Sequence, residues 1–420
     1  MSRQSEPLAV TGWGAITPLG HTPQQTWLAM LAGQSGIRQL HDVWAADLPT
    51  RIGGRVVSGE GQDPFQSLEP LLQRRLDRCA QLALLAGRQA WAMAHEHCKD
   101  VDPGRVAVVI GTGIGGLSTL ERQHTNLLQA GPGRVNPLTV PMLIPNAPGG
   151  QIAIDLGLHA GVHTPVSACA SGAEALMFAQ LLLNDDRADV VIAGGSEAPV
   201  NRLGLVGFSA MRALSSRNEE PELASRPYGL DRDGFVLAEG AGVVVLQRAR
   251  DLNSSGQPPL GWLLACGCSS DGHHIVASEP EGVQASRAIT DALRRADLSA
   301  ADLSFVQAHA TGTAVGDLAE SKALRRSLGA SLDCIPVTAP KGQLGHLLGA
   351  AGAVETILAL QALREGVVPR SVNADPVDPD VDLPVVQGQP LALESGSRER
   401  FALKNTFGFG GHNISLVLSA

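Results

Sequence analysis

The sequence predicts an α/β fold in which most strands are buried. Short runs rich in valine, isoleucine and alanine alternate with helix-compatible stretches, as in RVAVVIG, ADVVIAGG, LSFVQAHA and IPVTAP. Hydrophobic residues make up 44% of the 420 residues and charged residues 17%, with no polar low-complexity tract, which is typical of a compact chain. Because aromatic residues reach only 3%, we expect aliphatic side chains to fill the core.

The longest helical pattern begins at Leu71, in LLQRRLDRCAQLALLAGRQAWAMAHEH. Its spaced apolar residues predict one amphipathic helix, and its charges argue against a membrane span. Near residue 250, RARDLNSSGQPPLG collects turn-forming residues, so we expect two parts, 1–250 and 251–420, with no repeat visible in the letters. A second polar stretch, NADPVDPDVDLP from Asn373, predicts a surface connection before the final strands.

Composition and charge exclude several classes of protein. The N-terminal stretch lacks the apolar core of a secretory signal, and no later apolar run is long enough to cross a bilayer. A net charge of -9 gives no case for nucleic-acid binding, although a local basic patch can still meet an acidic partner. Scattered cysteines are typical of reduced thiols in a soluble cytoplasmic protein, and they are Cys79, Cys98, Cys169, Cys266, Cys268 and Cys334.

Two motifs suggest a cofactor or a metal, and neither is complete. Gly111, Gly113 and Gly116 spell GxGxxG directly after a strand, but no Asp or Glu occurs between Arg122 and Ile154 to hold a ribose. Close backbone packing is therefore the better interpretation of these glycines. The histidines of HEH, at 95 and 97, point to different faces of a helix, and the cysteines of CGC, at 266 and 268, supply only two ligands. We expect neither a cofactor nor a metal.

Cys169 lies in VSACASGAEAL, where small neighbours leave room for a substrate to reach the sulfur. The following run, AEALMFAQLLL, predicts a buried helix that begins close to this cysteine. A helix N-terminus presents unpaired N–H groups, which lower the pKa of a thiol and bind an oxyanion. A lone cysteine is also compatible with an inert buried thiol, so this stretch alone leaves both interpretations open.

Three further segments carry polar or aromatic residues suited to catalysis. FVQAHATGTAVGD places His309 at the end of a strand, and APKGQLGHLLGAAGAVE places Lys341 and His346 ahead of a helix of small residues. LKNTFGFGGHN sets Phe407 and Phe409 among glycines, where the backbone can approach a ligand closely. Taken singly, each histidine is more typical of a structural residue.

Together these four segments resemble the β-ketoacyl-acyl-carrier-protein synthases, of the elongating synthase II type with a Cys, His, His site. VTGWGAITPLG, IGTGIGGL, GFSAMRALSSRN and RPYGLDRDGFVLAEGAGVVVL extend the resemblance over nearly the whole chain in order. It implies a thiolase-like fold, in which two similar βαβαβαββ halves form five αβαβα layers. Cys169 would come from the half at 1–250, and His309 and His346 from the half at 251–420.

The resemblance implies a decarboxylative Claisen condensation of malonyl carrier protein with an acyl chain held on Cys169, as in fatty-acid elongation. The backbone N–H groups of Cys169 and Phe409 would form the oxyanion hole. His309 and His346 would donate hydrogen bonds to the enolate that decarboxylation leaves. Lys341 would support the histidines in a polar network with acidic residues, at Glu320 and Glu355.

The resemblance also implies substrate and carrier contacts. Phe409 would act as a gate as well, and the substrate-binding residues would be Ile114, Phe208, Thr311, Thr313 and Phe407. An acidic acyl carrier protein would meet Arg74, Arg75 and Arg212, although arginines on an ordinary solvated surface explain these positions equally. Ala310 stands where the family usually has glycine, and Val276 replaces a hydroxyl residue near the malonyl channel, which puts substrate choice in doubt.

Three alternatives remain at this point. A ketosynthase for a polyketide or another specialised acyl chain would use the same Cys, His, His residues. A non-catalytic chain-length partner lacks the cysteine, so Cys169 with both histidines counts against it. A nicotinamide-dependent oxidoreductase fails on the missing acidic residue. The resemblance implies a homodimer, and a heterodimer with a related subunit is also open.

Overall fold

The computed structural model describes residues 6–56, 63–252, 257–394 and 399–420, so part of the boundary predicted near residue 250 lies outside it, at 253–256. The strands are Leu8–Ile16 (β1), Arg38–Gln39 (β2), Ile52–Gly53 (β3), Val106–Gly111 (β4), Val162–His163 (β5), Val190–Glu197 (β6), Gly240–Arg248 (β7), Gly261–Ser270 (β8), Leu303–Gln307 (β9), Val337–Thr338 (β10), Val367–Val368 (β11), Leu391–Ala392 (β12), Phe401–Gly408 (β13) and His412–Ser419 (β14). The helices are Pro23–Leu31 (α1), Pro70–Arg75 (α2), Arg78–Met93 (α3), His95–Cys98 (α4), Leu117–Ala130 (α5), Thr139–Leu143 (α6), Ala147–Leu156 (α7), Ser171–Asn184 (α8), Arg202–Ala210 (α9), Val283–Ala296 (α10), Ala314–Leu328 (α11), Lys341–Leu344 (α12) and Ala351–Glu365 (α13).

The large sheet contains the same arrangement of strands twice. Its order is β10-β9-β13-β14-β8-β1-β7-β6-β4-β5. From the middle outwards, β1, β7, β6, β4 and β5 repeat the directions of β8, β14, β13, β9 and β10. The two sets meet only where β1 pairs with β8, over the short stretch Leu8 to Val10. With the intervening helices, each half reads βαβαβαββ, which confirms the predicted thiolase-like fold.

The helices complete five layers. α8 and α13 lie in the middle, because α8 contacts β4, β6 and β14 while α13 contacts β6, β7, β13 and β14. α3 and α7 cover the outer face of the first half, and α10 with α11 covers the outer face of the second. A helix in the middle layer is covered on all sides by other elements. This position explains why every residue of α13 from Ala351 to Leu363 is buried.

The two central helices cross closely because glycines face each other there. A Cβ atom on Gly172 would lie 2.7 Å from the carbonyl oxygen of Gly349, and one on Gly352 would lie 2.5 Å from the backbone nitrogen of Ala173. Real Cβ atoms do not tolerate such contacts. This close crossing brings the N-terminal ends of both helices to one place.

The single helix predicted from Leu71 is wrong, because the chain breaks between α2 and α3. Leu76 is extended, at φ -112° and ψ 141°, and Asp77 caps α3 by accepting a hydrogen bond from the N–H of Cys79 at 3.0 Å. The other carboxylate oxygen of Asp77 accepts from the N–H and hydroxyl of Thr119, at 2.9 and 2.7 Å. The amphipathic pattern of the sequence continues through this break. Only Asp77, a residue type that favours the N-cap position, indicates that a new helix begins here.

Two further predicted segments, IPVTAP and the stretch from Asn373, add little regular structure. The predicted strand IPVTAP contributes only the short β10 to the sheet. The stretch from Asn373 runs largely over the surface in turns, with Ala374 and Val381 buried. Within the described ranges, every helix is too short or too polar to cross a membrane.

We predict that Gly352→Ala lowers the free energy of unfolding by about 1–3 kcal/mol, because the added methyl group collides with the backbone of α8. Gly207→Ala is the matched control, since no heavy atom lies within 4 Å of a Cβ added there, and we expect it to leave stability unchanged or slightly raised. Denaturant unfolding of both variants measures the difference. Equal midpoints would show that the helix crossing is not tight.

Candidate active site

One cavity of about 430 Å³ brings together residues from both halves of the chain. Val276 and Ala310, two positions that depart from the family pattern, lie on its wall. Of the residues predicted for the site, the wall contains Cys169, Arg212, His309, Thr311, Thr313, Glu320, His346, Phe407 and Phe409. The four segments predicted to carry the chemistry therefore meet at a single opening.

Cys169 lies in a turn of 3₁₀ helix that leads directly into α8, and its side chain is buried. Burial raises the pKa of the Cys169 thiol to about 12. The charge of Lys341 and the N–H groups of Phe409 and Cys169 act in the opposite direction. The helix position predicts a lowered pKa, and for the resting thiol that expectation is wrong because desolvation outweighs the nearby positive groups.

A buried carboxylate fills the glycine-rich loop after β4. Glu197 accepts hydrogen bonds from the backbone N–H groups of residues 113–115 at 2.5 to 3.2 Å, and from the hydroxyl of Thr112 at 2.8 Å. The N–H of Gly349 donates to the same carboxylate at 3.1 Å, and burial raises the pKa of Glu197. The N–H groups that a phosphate would need are thus already hydrogen-bonded to the carboxyl group of Glu197.

A metal site requires several ligating side chains close together. Across the described ranges, no group of three or more His, Cys, Asp or Glu side chains is placed to hold a metal ion.

The two histidines of the cavity face each other edge to face, with ring centroids 5.4 Å apart and an angle of 80°. Nδ1 of His346 accepts a hydrogen bond from the N–H of Leu348 at 3.3 Å, and Nδ1 of His309 lies 3.5 Å from Nζ of Lys341. Because Nδ1 acts as the acceptor in both contacts, the ring proton of each neutral histidine lies on Nε2. Burial, followed by the charge of Lys341, holds the pKa of both histidines well below its ordinary value. Both rings are therefore neutral hydrogen-bond donors at neutral pH.

Lys341 connects the first histidine to the central helix. Its Nζ lies 2.6 Å from Oε1 of Glu355 and donates to the carbonyl oxygen of His309 at 2.5 Å. The second oxygen of Glu355 lies 2.7 Å from Nζ of Lys404. All three charged side chains are fully buried. The sequence analysis did not identify Lys404. The feature that could have pointed to it is a lysine within the apolar strand FALKNTFG, at a position that is buried.

Glu320 fixes the backbone that carries His309. Its carboxylate accepts from the N–H groups of His309 and Ala310 at 2.8 and 2.7 Å, and from the side-chain amide of Asn405 at 3.3 Å. Ala310 has a φ of +33°, a left-handed conformation that glycine adopts most easily. This geometry explains the family's preference for glycine here, and two hydrogen bonds to one carboxylate hold the alanine in it.

Aromatic rings form a continuous wall around the histidines. Phe407 lies 5.8 Å from the ring of His309, and Phe235 lies 5.2 Å from that of His346, between ring centroids. Phe208 bridges Phe235 and Phe409, at 5.5 and 6.4 Å. These contacts place Phe409 at the end of a chain of packed rings.

Ile114 and Phe208 pack with Cys169 in one apolar cluster rather than on the cavity wall itself. Thr311 and Thr313 line the wall with hydroxyls 3.0 Å apart, and Thr313 also caps α11. Among the predicted carrier contacts, Arg212 is exposed at the cavity, whereas Arg74 and Arg75 are exposed on α2 outside it. The structure thus places one of the three arginines at the opening.

Comparisons with known proteins agree along the whole chain. A family model described as Beta-ketoacyl synthase, N-terminal domain, matches residues 5–251, and one described as Beta-ketoacyl synthase, C-terminal domain, matches 260–375. The chain is 38% identical to the 3-oxoacyl-[acyl-carrier-protein] synthase 2 of Synechocystis sp., over 99% of this chain and 98% of the relative. It is 39% identical to the protein of that name from Mycobacterium tuberculosis, over 98% and 96% of the two chains.

Solved structures share the fold at lower identity. One is the ketosynthase of a type II polyketide synthase with its acyl-carrier protein, bound to a hexaketide, with a TM-score of 0.88, 27% identity, and coverage of 99% of this chain and 100% of that one. Another is a ketosynthase from Xenorhabdus doucetiae with its chain length factor, with a TM-score of 0.82, 26% identity, and coverage of 99% and 98%.

We predict that alkylation of Cys169 by iodoacetamide accelerates about tenfold for each pH unit between pH 7 and pH 10, because the thiolate fraction rises in that proportion below the pKa. Peptide mass mapping separates this site from the exposed Cys268 and Cys334. Free cysteine, measured in parallel, levels off near its own pKa of about 8.5. A plateau at Cys169 below pH 9 would contradict the assignment of a neutral resting thiol.

Proposed function

The chain belongs to the β-ketoacyl synthase family, and on that basis we propose how its cavity performs the condensation of an elongating 3-oxoacyl-[acyl-carrier-protein] synthase. The observation that supports this most strongly is the meeting of one thiol at a helix start with two neutral histidines on one cavity wall. As an acyltransferase, the protein joins an acyl chain to a malonyl unit carried by acyl carrier protein. Each half-reaction uses a different part of the site.

Acyl transfer uses Cys169. Its sulfur attacks the carbonyl carbon of the acyl thioester, and the N–H groups of Cys169 and Phe409 stabilise the tetrahedral oxyanion. The C–S bond to the carrier then breaks, and the carrier leaves as a thiol that carries the proton lost by Cys169. Because the resting thiol is neutral, this proton leaves during attack, while the same two N–H groups and Lys341 favour the negative charge.

Condensation uses the histidines. The bond between the malonyl carboxylate and its α-carbon breaks, CO₂ leaves, and the electron pair becomes an enolate whose oxygen accepts hydrogen bonds from Nε2 of His309 and His346. The α-carbon attacks the acyl carbonyl on Cys169, the C–S bond breaks, and the sulfur leaves as a thiolate that takes one proton from water. Neutral rings suit this role, because they donate hydrogen bonds to the enolate oxygen. Two positively charged rings would also bind the malonyl carboxylate as ion pairs.

Supporting roles follow from the contacts. Lys341 and Glu320 hold His309 through its carbonyl oxygen and N–H, and Glu355 holds Lys341. We assign Phe409 as the gate of the cavity, Ile114 as a wall of the acyl pocket beside Cys169, and Phe208, Thr311, Thr313 and Phe407 as further substrate contacts.

We assign acyl carrier protein as the macromolecular partner, with Arg212 at the cavity and Arg74 and Arg75 on α2 as its basic contacts. The fatty-acid pathway is favoured over a polyketide pathway because the relatives named synthase 2 are 38 to 39% identical to this chain, against 27% for the ketosynthase of the type II polyketide synthase. We place the protein in the cytoplasm, where its cysteines, all free, stay reduced.

We further propose a homodimer and a division of the chain near residue 250. β5 ends the large sheet and leaves one strand edge open, and Ile154 and Val162 nearby are 75% and 39% exposed. Exposed apolar side chains beside an open edge favour pairing with a second chain. The repeat of strand order on either side of the junction between β1 and β8 supports the division into 1–250 and 251–420, because β7 ends at Arg248 and β8 begins at Gly261.

We predict that incubation with an acyl carrier thioester adds one acyl mass to the protein and that Cys169→Ala abolishes this addition, because only the Cys169 thiol lies in the cavity. Intact-protein mass spectrometry over several chain lengths measures both. Cys334→Ala, at an exposed cysteine outside the cavity, serves as the control and should load normally. Wild-type protein that stays unmodified with a verified carrier would refute the acyl-transfer step.

We predict that His309→Ala and His346→Ala each slow malonyl decarboxylation by about a hundredfold, because each removes one donor to the enolate. Acyl loading of Cys169 should fall much less in both variants. Release of CO₂ and intact-mass loading, measured on the same preparations, separate the two steps. Equal loss of loading and decarboxylation would contradict this division of roles.

A further inference from the structure

Two of the chain's lysines share one buried carboxylate. Among its 32 basic residues only four are lysines, at 99, 322, 341 and 404. Lys99 and Lys322 form exposed ion pairs, whereas Lys341 and Lys404 are fully buried on opposite oxygens of Glu355. A chain that uses arginine at most basic positions thus places two lysines, whose ammonium groups are compact, on one buried carboxylate.

Three oxygen atoms lie around the second ammonium group. Nζ of Lys404 forms an ion pair with Oε2 of Glu355 at 2.7 Å, and it donates to the carbonyl oxygen of Asn405 and the hydroxyl of Thr406, each at 2.5 Å. The two hydrogen bonds keep the ammonium group on its own strand, and the ion pair joins it to the central helix α13. Lys404 therefore connects β13 to the second oxygen of Glu355.

Lys341 has a matching set on the other side. Its Nζ contacts Oε1 of Glu355, the carbonyl oxygen of His309 at 2.5 Å and Nδ1 of His309 at 3.5 Å. If Lys404 released Oε2, the whole charge of Glu355 would be available to Lys341. The ammonium of Lys341 would then be drawn from the histidine towards the carboxylate, because the opposite charge is the stronger partner.

The charges that face Lys404 come from several elements. Lys341 repels it and Glu355 attracts it, and Glu320 contributes a weaker attraction. Burial and the charge of Lys341 lower the pKa of Lys404 to about 8, so it is mainly charged at neutral pH. Its charge in turn adds to that of Lys341 in lowering the pKa of His309 and His346.

We propose that Lys404 is a positioning residue for the condensation, which holds the second oxygen of Glu355 so that Lys341 stays on His309 and keeps its Nε2–H directed at the enolate. Lys404 is not among the residues that line the cavity, so its effect on the reaction passes through Glu355 and Lys341. The proposal rests on the proposed function, since it concerns the donor used in malonyl decarboxylation.

The experiment compares wild type with Lys404→Met, which keeps the side-chain volume, and Lys404→Ala, which leaves space for an added amine. We expect the kcat of malonyl decarboxylation to fall about tenfold or more in both, with acyl loading of Cys169 and the KM for malonyl carrier unchanged. Propylammonium should restore the rate of Lys404→Ala and not that of Lys404→Met. Sodium chloride at equal ionic strength controls for screening, and Lys322→Met controls for loss of an exposed lysine.

Each outcome decides the proposal. Wild-type rates in both variants, or a slow Lys404→Ala enzyme that propylammonium does not restore, would overturn it. Failure of both variants to fold would also overturn it, because Lys341 still neutralises Glu355 and a positioning role requires a folded site. Absence of decarboxylation by wild type would instead count against the proposed function, which separates the two failures.

Discussion

The pairing of Glu355 with Lys341 is the constraint on which the site depends. Glu355 lies on the central helix α13, at a position with no exposure to solvent, so its charge has to be balanced inside the protein. Lys341 supplies that balance and joins the helix to His309. Removing one partner of such a buried pair leaves an uncompensated charge and costs about 3–5 kcal/mol. His309 is thereby tied to the core of the fold rather than to a surface loop.

The repeated fold explains how one site receives groups from both halves. α8 and α13 are equivalent helices in the two βαβαβαββ units, and each follows a short 3₁₀ turn whose first residue has a positive φ, Ala168 at +50° and Leu348 at +45°. In this correspondence Cys169 matches Gly349, whose N–H donates to Glu197. One half thus places a thiol in the turn, and the other half uses the turn for backbone support.

The sequence predicted β4, β6, β9, the short β10, the helix after Cys169 and the segments of both histidines, because these depend on local patterns and on motifs. The two similar halves were implied by the family resemblance and were not visible in the letters, since the halves share strand directions and turn geometry rather than residue types. It also missed Glu197 and Lys404, whose roles depend on contacts between distant segments. The direction of the pKa shift at Cys169 was wrong for a related reason, because burial of the thiol depends on the packing of other elements around it.

The central claim is that the thiol of one half and the histidines of the other act on two substrates in one cavity. A single-turnover reaction tests it most directly: protein loaded with one acyl group is mixed with malonyl carrier protein, and acyl-enzyme, CO₂ and β-ketoacyl carrier are quantified together. The account predicts that one β-ketoacyl carrier and one CO₂ form for each acyl group lost from Cys169. Release of the acyl chain as free acid, or CO₂ without β-ketoacyl product, would contradict it.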